Sequence, residues 1–303
     1  ERDSIKDKGG LVGGHLREGR RKVHNVLCRS MASHDVDTPD DGFLVRYREQ
    51  HRYASVIYST HSHTPEAPRY RIFTPFARDV SPEEYVAIMR FMAADMGIEC
   101  VDRCSYQVHQ LMYWPTTPSN GEYVYERFDG EWLDPDKYLA EHPGWQDVST
   151  LPTSSKESML VKRDLHRQKD PLEKTGTIGA YNNVYFPIQR LLEEELSNVY
   201  EPTAVDDRYT RIGSSSTAGA VVYEDRFLYS NHATDPAYGR LLSAFDLMRI
   251  HRYGDLAEKE SLQEALAYAS SLPAVRDWQI QKRREEARVE FATAETEETE
   301  EDD

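Results

Sequence analysis

Asp35 and Asp37 stand one residue apart, just after a strand-like run. Side chains alternate along a strand, so both carboxylates point the same way. Two like charges that close are unfavourable unless a cation lies between them. Mg²⁺ or Mn²⁺ suits such a site, because hard divalent ions take oxygen ligands. A second set of residues follows at 56–71, where Val56-Ile57-Tyr58-Ser59-Thr60-His61-Ser62-His63 precedes Thr64-Pro65-Glu66-Ala67-Pro68 and then Arg69-Tyr70-Arg71. Turn composition between two β-rich runs predicts a hairpin. With the turn centred near Glu66, His61 lies opposite Arg71 and His63 opposite Arg69. All four then share one face as an anion platform. An acidic metal site beside such a platform suits a metal-bound nucleoside triphosphate.

These groups need elements to hold them. Residues 23–31 read as the strand that delivers Asp35 and Asp37, although 35–42 also has good loop composition, and His34 is expected to face solvent. Ser81-Pro82-Glu83-Glu84 is a helix start, with a cap, proline at the first position and an acid three residues after the cap. Tyr85, Ile88, Met89, Met92 and Met96 follow at helical spacing as a core stripe, and Gly97 closes the helix. Residues 98–102 then read as a strand with Asp102 at its tip, and 111–115 as a buried strand. Residues 122–128 and 131–133 flank Asp129-Gly130, a hairpin signal. Residues 9–22 are glycine-rich and then basic. Taken alone they fit either a loop bringing Arg17, Arg20, Arg21 and Lys22 to phosphates or a solvated charge run.

The pattern resembles the archaeo-eukaryotic primase (primase-polymerase) superfamily. Its Asp-x-Asp is matched by Asp35 and Asp37, its Ser-x-His by Ser59-Thr60-His61, and its acid after a hydrophobic residue by Val101-Asp102. The finer likeness is to the N-terminal primase region of phage and mobile-element replication proteins of the virulence-associated protein E type. It is carried by Gly9-Gly10-Leu11-Val12-Gly13-Gly14, Gly19-Arg20-Arg21-Lys22, Tyr58 through Pro65, Leu111-Met112-Tyr113-Trp114-Pro115 and His232-Ala233-Thr234-Asp235-Pro236. The resemblance implies an α+β primase-polymerase core with a mixed or antiparallel sheet, an RRM-like module plus an N-terminal α/β module, followed by a mostly helical accessory domain. It implies that Asp35, Asp37 and Asp102 hold Mg²⁺ or Mn²⁺ for nucleotidyl transfer. Ser59, His61, His63, Arg69 and Arg71 then bind nucleotide, and Arg17, Arg20, Arg21 and Lys22 contact DNA phosphates. Single-stranded DNA template and NTPs or dNTPs are the implied partners, with a helicase C-terminal to this chain, in the cytoplasm of a bacterial host. Where the family has an arginine before 111–115, this chain has His109-Gln110.

The sequence of 303 residues is 39% hydrophobic and 30% charged, which supports a core. No apolar run approaches a membrane span. The net charge of −16 is uneven: the last 14 residues hold eight acids and no base, whereas residues 1–30 hold eight Lys/Arg against four acids. A local basic strip matters more for nucleic acid than the global sum. Three cysteines fit a reduced chain better than a disulfide framework. Glu1 in place of Met suggests a piece of a longer protein, and no Gly-x-x-x-x-Gly-Lys-Ser/Thr loop occurs in it. An irregular polar stretch around 144–155 divides the chain, and with the resemblance this implies a catalytic core at 1–150, a mostly helical accessory domain with a small β element at 151–255, and a helical linker with an acidic disordered tail at 256–303. Glu224-Asp225 is a two-residue turn between strands, and His232 and Asp235 read as structural. Two other functions fit parts of the pattern. One is a rolling-circle-type endonuclease using His61-Ser62-His63 as a metal site. The other is a catalytically weak nucleotide- or nucleic-acid-binding replication module.

Overall fold

In the computed structural model, which describes residues 2–300, two sheets carry two separate cores. The first half runs β1 (Gly10–Leu11), β2 (Gly14–Leu16), β3 (Val26–Val36), α1 (Phe43–Gln50), β4 (Ser55–Ser59), β5 (Tyr70–Val80), α2 (Pro82–Met96), β6 (Met112–Tyr113), β7 (Tyr125–Phe128) and α3 (Pro135–Ala140). Its main sheet has the order β2-β3-β5-β4-β7 with every pairing antiparallel, and β1 pairs separately with β6. The helix start at Ser81 forms as expected: Ser81 and Glu84 make a reciprocal capping box, and Gly97 closes the helix at φ +96°. The helix's Tyr85, Ile88 and Met89 are fully buried in one cluster with Ile57 and Ile72 of the sheet. His34 is also fully buried there, with Nε2 3.0 Å from the Met89 carbonyl, so the expectation that it faces solvent is corrected.

Three other expectations for this half change. Residues 98–102 are not a strand: Ile98–Cys100 is a 3-10 turn, and a single bridge joins Val101 to Val36. Residues 131–133 do not pair with 125–128. Instead β7 takes the open edge of β4, while Glu131 and Leu133 accept backbone bonds from Ala54 and Ala77. The glycines of 9–14 serve packing rather than loop mobility. A Cβ on Gly14 would stand 2.1 Å from the Cys28 carbonyl oxygen, and one on Gly10 2.5 Å from that of Met112.

The second half contains α4 (Ser155–Arg167), α5 (Gly176–Val184), α6 (Gln189–Glu194), β8 (Tyr200–Pro202), β9 (Arg208–Arg211), β10 (Ala220–Tyr223), β11 (Phe227–Ser230), β12 (Leu241–Ser243), α7 (Ala244–Tyr253), α8 (Glu258–Ser271) and α9 (Pro273–Glu300). The small β element expected here is a five-stranded antiparallel sheet in the order β12-β11-β10-β9-β8. Strands β8, β9 and β12 are too short to display alternation in the sequence. The β10–β11 turn forms on Glu224 and Asp225, both at positive φ, 52° and 55°. Tyr181, Leu191, Phe245 and Met248 lie in its core. Disorder was the expectation from residue 292, but α9 continues to Glu300, on alanine and glutamate that favour helix; residues 301–303 lie outside the described residues.

Residues 232–238 link the halves. Ala233 belongs to the first core and Ala237 to the second, and Thr234 donates to Glu83 at 2.8 Å. His232 accepts the N–H groups of Arg211 and Gly219 through Nε2, and Asp235 accepts from Tyr200 and the Ala237 N–H, so both hold this link. Among the described residues no helix is long and apolar enough to cross a membrane.

Candidate active site

The register of β3 against β5 sets the site. Asp35 lies opposite Arg71 and Val36 opposite Tyr70, which carries Asp37 towards Arg69. Arg71 Nη2 donates to Asp35 Oδ2 at 2.9 Å and Arg69 Nη1 to Asp37 Oδ1 at 2.8 Å. The two carboxylates therefore do share a face, and each meets a guanidinium across the strand pair. Arg71 is nearly buried; its Nη1 donates to the Tyr113 carbonyl at 2.8 Å, and the Tyr58 hydroxyl donates to the same oxygen at 2.9 Å.

Asp102 arrives from a neighbouring segment. Its N–H donates to the Asp35 carbonyl at 2.8 Å, while its own carboxylate caps the turn Arg103–Tyr106 by accepting from the Cys104 N–H. That turn also supplies Ser105, whose hydroxyl accepts the Asp35 N–H at 2.9 Å. The segments that carry the three acids thus lie side by side where β3 ends. Burial pushes the Asp35 carboxyl above its ordinary range. Arg71 opposes that shift, while Asp37 and Asp102 add to it, as converging like charges must.

The histidine platform does not form as expected. In the β4–β5 register Tyr58, not His61, faces Arg71, and Ser59 faces Tyr70. Residues 60–69 form a longer loop with its own backbone bonds, Thr60 to Arg69 and Thr64 to Ala67, instead of a tight turn at Glu66. His61 is half-buried in that loop, with Nδ1 3.0 Å from Thr116 Oγ1 and no hydrogen bond to Nε2 among the described residues. His63 is buried and its Nδ1 accepts the Arg69 N–H, so it braces the loop. Its burial lowers the imidazole pKa. Ser59 is fully buried, and its hydroxyl accepts the Val124 N–H at 2.9 Å. The two histidines therefore differ in role, against the paired metal ligands of an endonuclease.

Arg17, Arg20, Arg21 and Lys22 are exposed on the β2–β3 connection, at the Val26 end of β3. Asp35 is nine residues further along that strand, so at ~3.3 Å per residue the basic loop lies up to roughly 30 Å away. It is therefore separate from the acids at the other end of the strand. Arg29 is a residue the sequence does not signal. It is fully buried, donates to Gly13, Val108 and Ser33, and its guanidinium lies 4.0 Å from the Tyr85 ring centroid. In this way it ties β2, β3 and the segment carrying Ser105 together. Gln110, where the family has arginine, turns its amide to the adjacent Leu111 carbonyl at 3.4 Å.

The donor chemistry fits a hard divalent ion. All three side chains offer carboxylate oxygens, and Asp35 Oδ1 is buried with no hydrogen-bond partner among the described residues. Arg71 holds Asp35 Oδ2 and Arg69 holds Asp37 Oδ1, so an ion would compete with the two arginines for these oxygens. Among the described residues, the one His/Cys/Asp/Glu group whose ligand atoms all lie within 4.8 Å of one another is elsewhere, His15 with Cys28 and Asp79.

Neither the curated proteins nor the solved structures contain a match. The family model described as the VapE N-terminal domain matches residues 1–154. That span covers more than half of the chain and contains every acid, histidine and arginine of the site described above. The chain belongs to the VapE N-terminal domain family.

Proposed function

We propose that this chain catalyses template-directed nucleotidyl transfer, as the primase or primase-polymerase unit of a phage or mobile-element replication protein. The observation that carries the reading is the meeting of the segments that carry Asp35, Asp37 and Asp102 at one end of β3, with Arg69, Arg71 and His61 on the adjoining segments. Asp35, Asp37 and Asp102 would hold Mg²⁺ or Mn²⁺, which when bound supplies Lewis-acid activation of a 3′-hydroxyl and of the pyrophosphate leaving group. His61, fixed by Thr116, presents its Nε2 to a phosphate oxygen. Arg69 and Arg71 neutralise the carboxylates in the protein alone, and would bind triphosphate oxygens were an ion to take the carboxylates. Arg71 is oriented for this by the Tyr113 carbonyl. Single-stranded DNA is the template and NTPs or dNTPs are the substrates.

The test is incubation with single-stranded DNA, Mg²⁺ or Mn²⁺ and labelled NTPs or dNTPs, with and without primer. Product that disappears in Asp35→Ala is expected, and the unprimed reaction separates priming from extension. Full activity of Asp35→Ala would sink the assignment. Binding of DNA or nucleotide with no incorporation under any condition would instead favour a binding module.

A further inference from the structure

A cleft of about 990 Å³ lies between the two halves of the molecule. One wall carries Arg17, Arg21 and Lys22 from the β2–β3 connection; the other carries Arg240 and Arg249 from residues flanking β12 and from α7. The side chains of Arg17, Arg21, Lys22 and Arg240 are exposed and make no hydrogen bond or ion pair among the described residues. The acids on the second wall are partly committed: Asp246 accepts from the Ser243 hydroxyl, and Glu258 lies 4.0 Å from Arg249. Asp255 completes that side. Four unpaired cations facing one another across a groove, in a chain of net charge −16, mark a place built for a polyanion.

We infer that this cleft binds the sugar-phosphate backbone of single-stranded DNA, several nucleotides away from the reacting end. The inference rests on the nucleotidyl-transfer reading for its choice of DNA strand. The basic wall is too far from the acids to share a triphosphate with them, while Gln107 and His109 extend the cleft towards the segment that bears Asp102 and Ser105. Up to roughly 30 Å of β3 separates the basic loop from Asp35, which is about nine nucleotides at ~3.4 Å each along a stacked strand. Guanidinium groups suit this task, since each can fork two phosphate oxygens. The walls are held in place before DNA arrives. Thr234 bonds Glu83 across the link, and Arg90 of α2 pairs with Glu157 of α4 at 2.7 Å. The second half of the chain thereby forms one side of the DNA path.

Fluorescence anisotropy with labelled oligothymidylates tests this in the whole chain. Arg240→Ala is the deciding variant, because its side chain supports nothing in the fold. An oligomer of about 20 nucleotides, long enough to span both places, should bind Arg240→Ala several-fold more weakly, with the log–log salt slope reduced by about 0.7. An oligomer of about 5 nucleotides should not distinguish the proteins as strongly. Arg17→Ala should behave like Arg240→Ala. Wild-type affinity and salt slope for the long oligomer in Arg240→Ala would overturn the inference. Primer extension on the same proteins separates the two readings. Weakened long-oligomer binding without synthesis in any protein keeps the cleft and removes the catalytic reading. Synthesis by the wild type with unchanged binding in Arg240→Ala does the reverse.

Discussion

Asp35 is the residue on which the proposed chemistry and the stability of the first half pull in opposite directions. Its carboxyl is held above the ordinary range by burial and by Asp37 and Asp102, despite Arg71. The folded protein therefore binds a proton more readily than the unfolded chain at this position, and stability falls as pH rises from the unfolded pKa through the raised one. Asp35→Asn, which resembles the protonated form, should melt no lower than the wild type at neutral pH in the absence of divalent ions, while losing incorporation. Mn²⁺ should raise the melting temperature of the wild type, by mass action on the folded state, and leave that of Asp35→Asn unmoved. Thermal melts with and without Mn²⁺ check both statements. An equal Mn²⁺ shift in the two proteins would place the ion elsewhere, with the His15, Cys28 and Asp79 group the first place to look. His61 and His63 divide on the same principle of partners. His61→Ala should weaken nucleotide binding with little change in stability, whereas His63→Ala removes a buried acceptor of the Arg69 N–H and should cost about 1–3 kcal/mol. Nucleotide titration and urea denaturation of the two variants separate these roles.

Among the elements, β3 and β5 set the site, and His34 reports on the packing of β3 against α2. It is fully buried with Nε2 against the Met89 carbonyl, and burial lowers its pKa to about 4. The unfolded chain therefore takes up a proton near pH 6.5 that the folded chain refuses until about pH 4. Stability should fall as pH drops through that window, by up to roughly 3 kcal/mol. His34→Leu should flatten the dependence, as measured by urea unfolding between pH 7 and 4. Burial of that kind cannot be read from residue order, since His34 beside two acids looks like a solvent-facing position. The sequence is most readable where local chemistry closes on itself. Ser81, Pro82, Glu84 and Gly97 bound α2 because caps act within a turn, and Glu224-Asp225 makes its hairpin because two residues suffice. The Asp-x-Asp geometry is equally local. The β4–β5 register is not, because it depends on how residues 60–69 fold back. The five-stranded second sheet is hidden for another reason: β8 and β12 have three residues each, too few for a period of two to show. Asp102 is brought to Asp35 by one bridge and a capped 3-10 turn, an arrangement that strand propensity misreads as a full strand.

At the scale of the whole molecule, the question is whether two cores behave as one folding unit. The contacts between them include Ala233, which the second half contributes to the first core, backbone bonds of Gln146 and Val148 with Thr217, and side-chain bonds of Ser155 and Lys156 with Glu99 and Thr38. The strongest tie at this junction is Arg90 with Glu157. Arg90 is 7% exposed, donates to both carboxylate oxygens of Glu157 and to the Pro152 carbonyl, and lies 4.5 Å from the Tyr106 ring centroid. Glu157 in turn closes the capping box that starts α4 on Ser154. One ion pair thus fixes the start of the helix that leads from the first core to the second. Deleting one member of a buried pair leaves the other charge without compensation, at a cost of about 3–5 kcal/mol. Arg90→Ala should therefore destabilise the first core and free α4, so that a single urea transition of the wild type separates into two. Tyrosine fluorescence and far-ultraviolet circular dichroism would then no longer coincide. Arg90→Met combined with Glu157→Gln removes both charges, keeps a capping side chain on α4 and should recover much of the loss. If Arg90→Ala unfolds in one transition with the wild-type midpoint, the pair is not what couples the halves. The walls of the basic cleft would then be held by residues 232–238 and by the bonds of Gln146 and Val148 with Thr217.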